Sequence, residues 1–205
     1  MKKISLLFAV IVFVLAFSMT SHAAYTNIYL SAFQDVRWQD KLTGEIYYNI
    51  GSMNSYSYCV DPSTNMPIPG NYFAEKFSIV GNAALLQVAW LVDNYAYSKK
   101  GVISGFNANE TGTILQLAIY DVIGQPVSPV SGYEALFAKK NEIEALIPKT
   151  DLSYLAASYI RFDIYGDSDK GVKYQNVLTP VPIPGVVWLL GSGLIGIIGI
   201  RRRQS

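Results

Sequence analysis

Between residues 27 and 60 the chain has the composition of β structure, and within it apolar and polar side chains alternate with a period of two. Residues 27–60 are rich in tyrosine and β-branched residues and are broken at Gly44 and Gly51, so TGEIYYNIG and SMNSYSYCV read as strands. Within NSYSYCV, Tyr56, Tyr58 and Val60 alternate with Ser55, Ser57 and Cys59, which sets Cys59 on the face opposite the bulky side chains. DPSTNMPIPGN is dense in turn formers, and YFAEKFSIV reads as the next strand. At Asn82, a predicted N-cap, the period turns helical. AALLQVAWLVDNYAYSKK then runs to Lys99, Lys100 and Gly101, the residue types that a helix C-terminus favours. After the loop GVISGFNANE, the segment TGTILQLAIYDVIG sets Gln116, Ile119, Tyr120 and Ile123 on one helical face. Ser131 and Glu134 have the spacing of a capping box, opening a third helix, YEALFAKKNEIEALI, that Pro148 stops. SYIRFDIYG alternates Ile160, Phe162 and Ile164 against Arg161 and Asp163 as a half-buried strand, and GVKYQNVLTP runs out toward the C-terminal segment. No repeat of 20 to 50 residues is present. The order predicts one α+β domain of antiparallel strands with an inserted helical segment.

Both chain ends depart from this pattern. Residues 1–23 carry Lys2 and Lys3, a long apolar run and the small-x-small site Ser21-His22-Ala23, and read as a cleaved secretory signal peptide; the other reading is an uncleaved anchor. From Gly185 to Ile200 sixteen residues carry no charge and one polar side chain, Ser192. As a helix they would span roughly 24 Å, short of the ~30 Å hydrocarbon core. The stems of Arg201, Arg202 and Arg203 would make up much of the difference, with the guanidiniums among headgroups on the cytoplasmic side. The alternative is a buried terminal helix. The stretch from Val181 to Arg203 resembles the PEP-CTERM sorting signal of Gram-negative bacteria in its Val-Pro-x-Pro variant. Val181, Pro182 and Pro184 match the motif, with Ile183 where a Glu is usual, followed by the glycine-containing apolar run and the arginine cluster. The resemblance implies a transient inner-membrane anchor in residues 179–205, processing by an exosortase, and release to the cell surface or an extracellular matrix.

Setting both ends aside leaves a single domain over residues 24–178 and changes its charge. The whole chain has 16 basic and 15 acidic residues; loss of Lys2, Lys3 and the three arginines leaves 11 basic residues, a net charge of about −4. Nucleic acid and anionic membrane are thereby disfavoured as partners. The sole histidine, His22, lies in the signal peptide, which removes Ser-His-Asp and Cys-His catalysis and every histidine-containing metal site. One cysteine, Cys59, remains in an exported chain, where it has no internal disulfide partner.

Taken alone, Cys59 reads as a buried small hydrophobe or as a reactive thiol. Its surroundings also carry a resemblance. Tyr58-Cys59-Val60, then Ala89-Trp90-Leu91 with Asn94-Tyr95, then Leu115 to Tyr120 with Gln116 second, follow the order of motifs in the thioester domain of bacterial surface adhesins. Tyr120 stands where tryptophan is usual, and Ile114-Leu115 where a small residue or threonine is common. The resemblance implies an internal thioester between Cys59 and Gln116, shielded by Tyr58, Trp90 and Tyr120, that couples to an amine or hydroxyl on a protein or polysaccharide. It implies no cofactor, no metal and no enzymatic activity. Gln87 is a rival acyl donor by local pattern. The alternative function is non-covalent binding of exopolysaccharide or matrix, with Cys59 merely packed. A hydrolase using carboxylates would draw on Asp61, Asp93 or Asp121. Asp167-Ser-Asp169 reads as a surface turn rather than a calcium loop, the Asn109-Glu-Thr111 sequon as a helix start, and Glu142 and Glu144 as diverging surface carboxylates.

Overall fold

Six antiparallel strands close into a barrel, and a block of helices inserted between two of them packs on its outside. The computed structural model describes residues 26–181, apart from 33–35, 39–40, 51–52, 63–66 and 167–170. The strands are β1 (Thr26–Ala32), β2 (Val36–Trp38), β3 (Lys41–Thr43), β4 (Ile46–Ile50), β5 (Met53–Cys59), β6 (Gly70–Ser78), β7 (Tyr159–Tyr165) and β8 (Val177–Pro180). The barrel order is β1-β4-β5-β8-β7-β6, with β6 pairing back onto β1, while β2 and β3 form a separate ribbon. The helices are α1 (Ala83–Tyr95), α2 (Tyr97–Lys100), α3 (Ala108–Val122) and α4 (Glu134–Ala145), followed by a 3₁₀ turn at Ser153–Ala157. Mixed α+β architecture with an inserted helical segment is what the patterning predicted.

The period-two alternation sorts the barrel side chains into two cores. Leu30, Ile46, Tyr48, Cys59, Ala74, Phe162, Ile164 and Val177 fill the interior. Tyr58, Tyr159 and Leu178 point outward and pack with Leu85, Val88, Leu91, Leu115 and Ile119 of the helices. α3 is central to the helical layer: every residue from Thr111 to Tyr120 is buried, and the helix packs against both α1 and α4.

Several elements differ from expectation. The first helix breaks at Ala96, whose ψ of 130° leaves the helical region. The reason is tertiary: the restarted turn delivers the Ser98 N–H (3.1 Å) and hydroxyl to the buried Glu45 carboxylate of the barrel. Gly101, at φ +78°, then closes α2. α3 begins earlier than its apolar pattern, because Asn107 and Glu110 form a reciprocal capping box at 2.9 and 2.8 Å. Asn109 of the sequon therefore lies in the first turn of a helix. The box expected at Ser131 is not made: Gly132, at φ +90°, turns the chain, and Tyr133 occupies the cap position without a side-chain hydrogen bond to the helix N-terminus. The Glu134 carboxylate instead accepts from the Gly132 N–H at 3.0 and 3.1 Å. Asp163, expected on the solvent side of its strand, is buried and paired with Arg161 at 2.7 Å and Lys173 at 3.3 Å.

The largest difference is at residues 177–180. Read from sequence as a run-out, they form β8, seated between β5 and β7 with Val177, Leu178 and Thr179 buried. Four residues are too few to declare a period, and only the two neighbouring strands give them a face to match. Beyond β8, the Val181 N–H still donates to Ser158 O at 2.8 Å. The signal peptide over 1–23, and Pro182, Pro184 and Arg201 to Arg203 of the sorting motif, lie outside the described residues. Among the described residues no helix is long and apolar enough to cross a membrane.

Candidate functional site

Cys59 is the last residue of β5, at a point where the sheet on one side has run out. Backbone groups of successive strand residues point to opposite edges. The Val60 N–H donates to Asn176 O at 2.8 Å, toward the β8 side, so the N–H and C=O of Cys59 face the β4 side. β4 begins only at Ile46, opposite Ser57, and has no strand residue to offer Cys59. Gln116 supplies the partner. The Cys59 N–H donates to Gln116 Oε1 at 3.2 Å, and Gln116 Nε2 donates to Cys59 O at 2.7 Å. A side-chain carboxamide thus substitutes for a peptide unit and closes the ladder. Both residues have 0 % exposure. Three earlier features deliver Gln116 here: the Asn107–Glu110 cap that starts α3, its buried run from Thr111 to Tyr120, and the packing of that run between α1 and α4.

The Cys59 side chain enters the barrel interior, in one cluster with Tyr48, Tyr120, Phe162 and Val177. Burial raises its thiol above the ordinary range, and the nearby Asp61 charge adds to the effect. A thiol at this position is thus held in its neutral form and screened from solvent. Tyr120 is fully buried beside it and hydrogen-bonds the buried Gln175; burial first, then Cys59, lifts its phenol.

The three residues proposed to shield a thioester fall on two sides. Tyr120 shares the interior cluster of Cys59, whereas Tyr58 and Trp90 belong to the helix-facing core. The cause is the alternation of β5, which turns Tyr58 outward where Cys59 turns inward. Tyr58 donates to Glu45 Oε2 at 2.8 Å, and the half-buried Trp90 meets Tyr95 edge-on at 6.0 Å. Gln87, the rival donor, lines a surface recess of about 330 Å³ with Asp121, Glu144 and Pro148, away from the Gln116–Cys59 contact.

The carboxylates named for hydrolysis have separate partners. Asp93 accepts from Tyr159 at 2.9 Å and pairs with Lys99, Asp121 pairs with Lys140, and Asp61 lies near Cys59. Glu142 pairs with Lys139 at 2.7 Å and Glu144 with Lys140 at 3.3 Å. No group of three His, Cys, Asp or Glu suited to a metal occurs among the described residues; Asp167 and Asp169 lie outside them. Sequence reasoning did not single out Glu45, Ser98 or Gln175. Glu45 looks like an ordinary strand residue, and Gln175 sits in the segment read as a run-out.

No protein-family model matches the chain, and no curated protein matches it. Solved structures do. The N-terminal thioester domain of a surface protein from Clostridium perfringens is similar with a TM-score of 0.54 and 14 % identity, over 76 % of this chain and 100 % of that one. The N-terminal domain of the Streptococcus pyogenes pilus tip adhesin Cpa is similar with a TM-score of 0.50 and 14 % identity, over 80 % of this chain and 97 % of that one. The likeness is one of fold.

Proposed function

We propose that this chain is an exported surface or matrix protein that couples covalently to a partner through a thioester between Cys59 and Gln116. The observation that carries the reading is the two-point seating of the Gln116 carboxamide on the backbone of the one cysteine, fully buried, at 3.2 and 2.7 Å. An amide in water is a poor electrophile. Fixing it beside a thiol in a dry site supplies an effective molarity of roughly 10⁵ M or more. Sulfur bonds to the carboxamide carbon, the C–N bond breaks, and the thiol proton leaves with the nitrogen as ammonia. An amine or hydroxyl on the partner then attacks the acyl carbon, transfers its proton to the departing thiolate, and remains attached to residue 116. The burial that raises the thiol makes the thiolate a costly leaving group, so the bond resists hydrolysis at rest. Each molecule reacts once, as a coupler rather than a turnover catalyst. The fold shared with the thioester domain of a surface protein and with a domain of a pilus tip adhesin supports this reading. Export and exosortase processing rest on residues 1–23 and on Val181, Pro182, Pro184 and Arg201 to Arg203.

Intact mass of the purified mature protein tests the reading. The expected mass is one ammonia below the sequence value, with the deficit absent in Cys59→Ala and methylamine adding across the bond. A full sequence mass with a thiol that titrates after denaturation refutes it. A second reading has its own observation: the same two hydrogen bonds satisfy the end of β5 without any covalent step. Cys59 is then packing, the domain binds matrix polysaccharide non-covalently, and Cys59→Ala binds as wild type does.

A further inference from the structure

We propose that the chain carries a second, unrelated cross-link: an amide bond between Lys140 Nζ and Asp121 Cγ, formed with the help of Glu144 and tying α4 to α3. This inference is independent of the thioester reading. Lys140 lies mid-way along α4, yet it is 6 % exposed, where lysines are almost never buried unless paired. Its ammonium sits beside the Phe137 ring, 5.9 Å from the centroid, and reaches across the helix interface to Asp121 Oδ2. Glu144, one turn further along α4, stands 3.3 Å from the same ammonium through Oε1. One cation thus faces two carboxylates, in a site where Asp121 Oδ1 is buried without a hydrogen-bond donor.

The Asp121 and Glu144 carboxyls lie within hydrogen-bonding reach of one another, a contact that a shared proton reconciles. Burial, opposed by Lys140 and assisted by Asp121, lifts the Glu144 carboxyl to about 7, so it is available in its acid form near neutral pH. As an acid it donates to Asp121, which drains charge from that carboxylate and turns its carbon into an electrophile. Ion pairs out of water are held at a desolvation penalty, and condensation to a neutral amide removes both charges at once. The step balances without a co-reactant. Lys140 passes a proton to the carboxylate pair, and its nitrogen lone pair bonds to Asp121 Cγ. One C–O bond then breaks. Glu144 carries the second nitrogen proton to the departing oxygen, which leaves as water, and the carboxyl is regenerated. Ammonium and carboxylate enter; amide and water emerge. The recess lined by Asp121, Glu144 and Gln87 opens on the site and offers the water an exit. The product would staple α4 to the helix that holds Gln116, five residues before Asp121.

Intact mass and peptide mapping of the denatured mature protein decide it. The expected result is a loss of one water, a branched peptide joining the segment around Asp121 to that around Lys140, and no tryptic cut after Lys140. Methylamine, which opens a thioester, leaves this loss unchanged, so water and ammonia deficits report separately on the two cross-links. Glu144→Gln keeps the shape of the site and is expected to restore the missing water while circular dichroism stays that of wild type. Lys140→Arg is expected to do the same. A wild-type protein with no water deficit and ordinary cleavage after Lys140 overturns the proposal. A Glu144→Gln protein that still loses the water overturns the part assigned to Glu144.

Discussion

Replacing Gln116 by methionine in a Cys59→Ala background isolates the part of the site that is pure hydrogen bonding. In that background no thioester can form, so any further loss of stability reads the contact between the side chain at 116 and the backbone at 59. Methionine keeps the length and nearly the volume of glutamine and fills the space, so no water enters to replace the carboxamide. Elsewhere in a core such a volume-conserving exchange costs less than about 1.5 kcal/mol. Here it strands the Cys59 N–H and C=O, which Gln116 satisfies at 3.2 and 2.7 Å and which no strand residue of β4 can reach. Two buried, unpaired backbone groups at ~1–3 kcal/mol each predict a loss of about 4 kcal/mol. For a domain of this size that is roughly 8–16 °C in Tm. Urea unfolding followed by circular dichroism, on the single and double variants side by side, measures it. A double variant within about 1.5 kcal/mol of Cys59→Ala would refute the view that Gln116 closes the β5 ladder.

Tyr58→Phe removes a donor from the fully buried Glu45 carboxylate, which Tyr58 engages at 2.8 Å, and is expected to cost about 2 kcal/mol in chemical denaturation; a loss under ~0.5 kcal/mol would show that the Ser98 contacts suffice alone. Alkaline unfolding should begin near the ordinary tyrosine range. Burial, reinforced by Glu45 and Asp93, lifts the Tyr56 phenol to about 12, and burial also raises Tyr58, Tyr120 and Tyr159. The folded state then holds protons that the unfolded chain gives up from about pH 10. Stability is therefore intact below pH 10 and falls as pH rises toward 12. Denaturation midpoints taken across that window check it, and a flat profile counts against the burial of these phenols.

Much of the placement was legible because it depends on spacings of about four residues or fewer. NSYSYCV by itself separates Cys59 from its tyrosine neighbours, and TGTILQLAIYDVIG by itself sets Gln116 and Tyr120 on one face. The three residues that the resemblance named as a shield are divided by the strand: Tyr58 and Trp90 belong to the helix-facing core, and Tyr120 to the cluster that holds Cys59. The Ser131 cap failed because a single glycine dihedral at 132 redirected the chain.

The sequence alone determined the class of architecture, the face on which Cys59 lies, and the helix that carries Gln116, since each follows from side-chain spacing along a few consecutive residues. Tertiary structure decided which glutamine meets the cysteine. That choice depends on where β4 begins, on β8 arriving from the far end of the chain to cover the other edge of β5, and on α3 standing where the gap is left. An unpaired backbone edge is a property of assembled strands, not of any one of them, so it becomes visible only once closure of the barrel has fixed every neighbour.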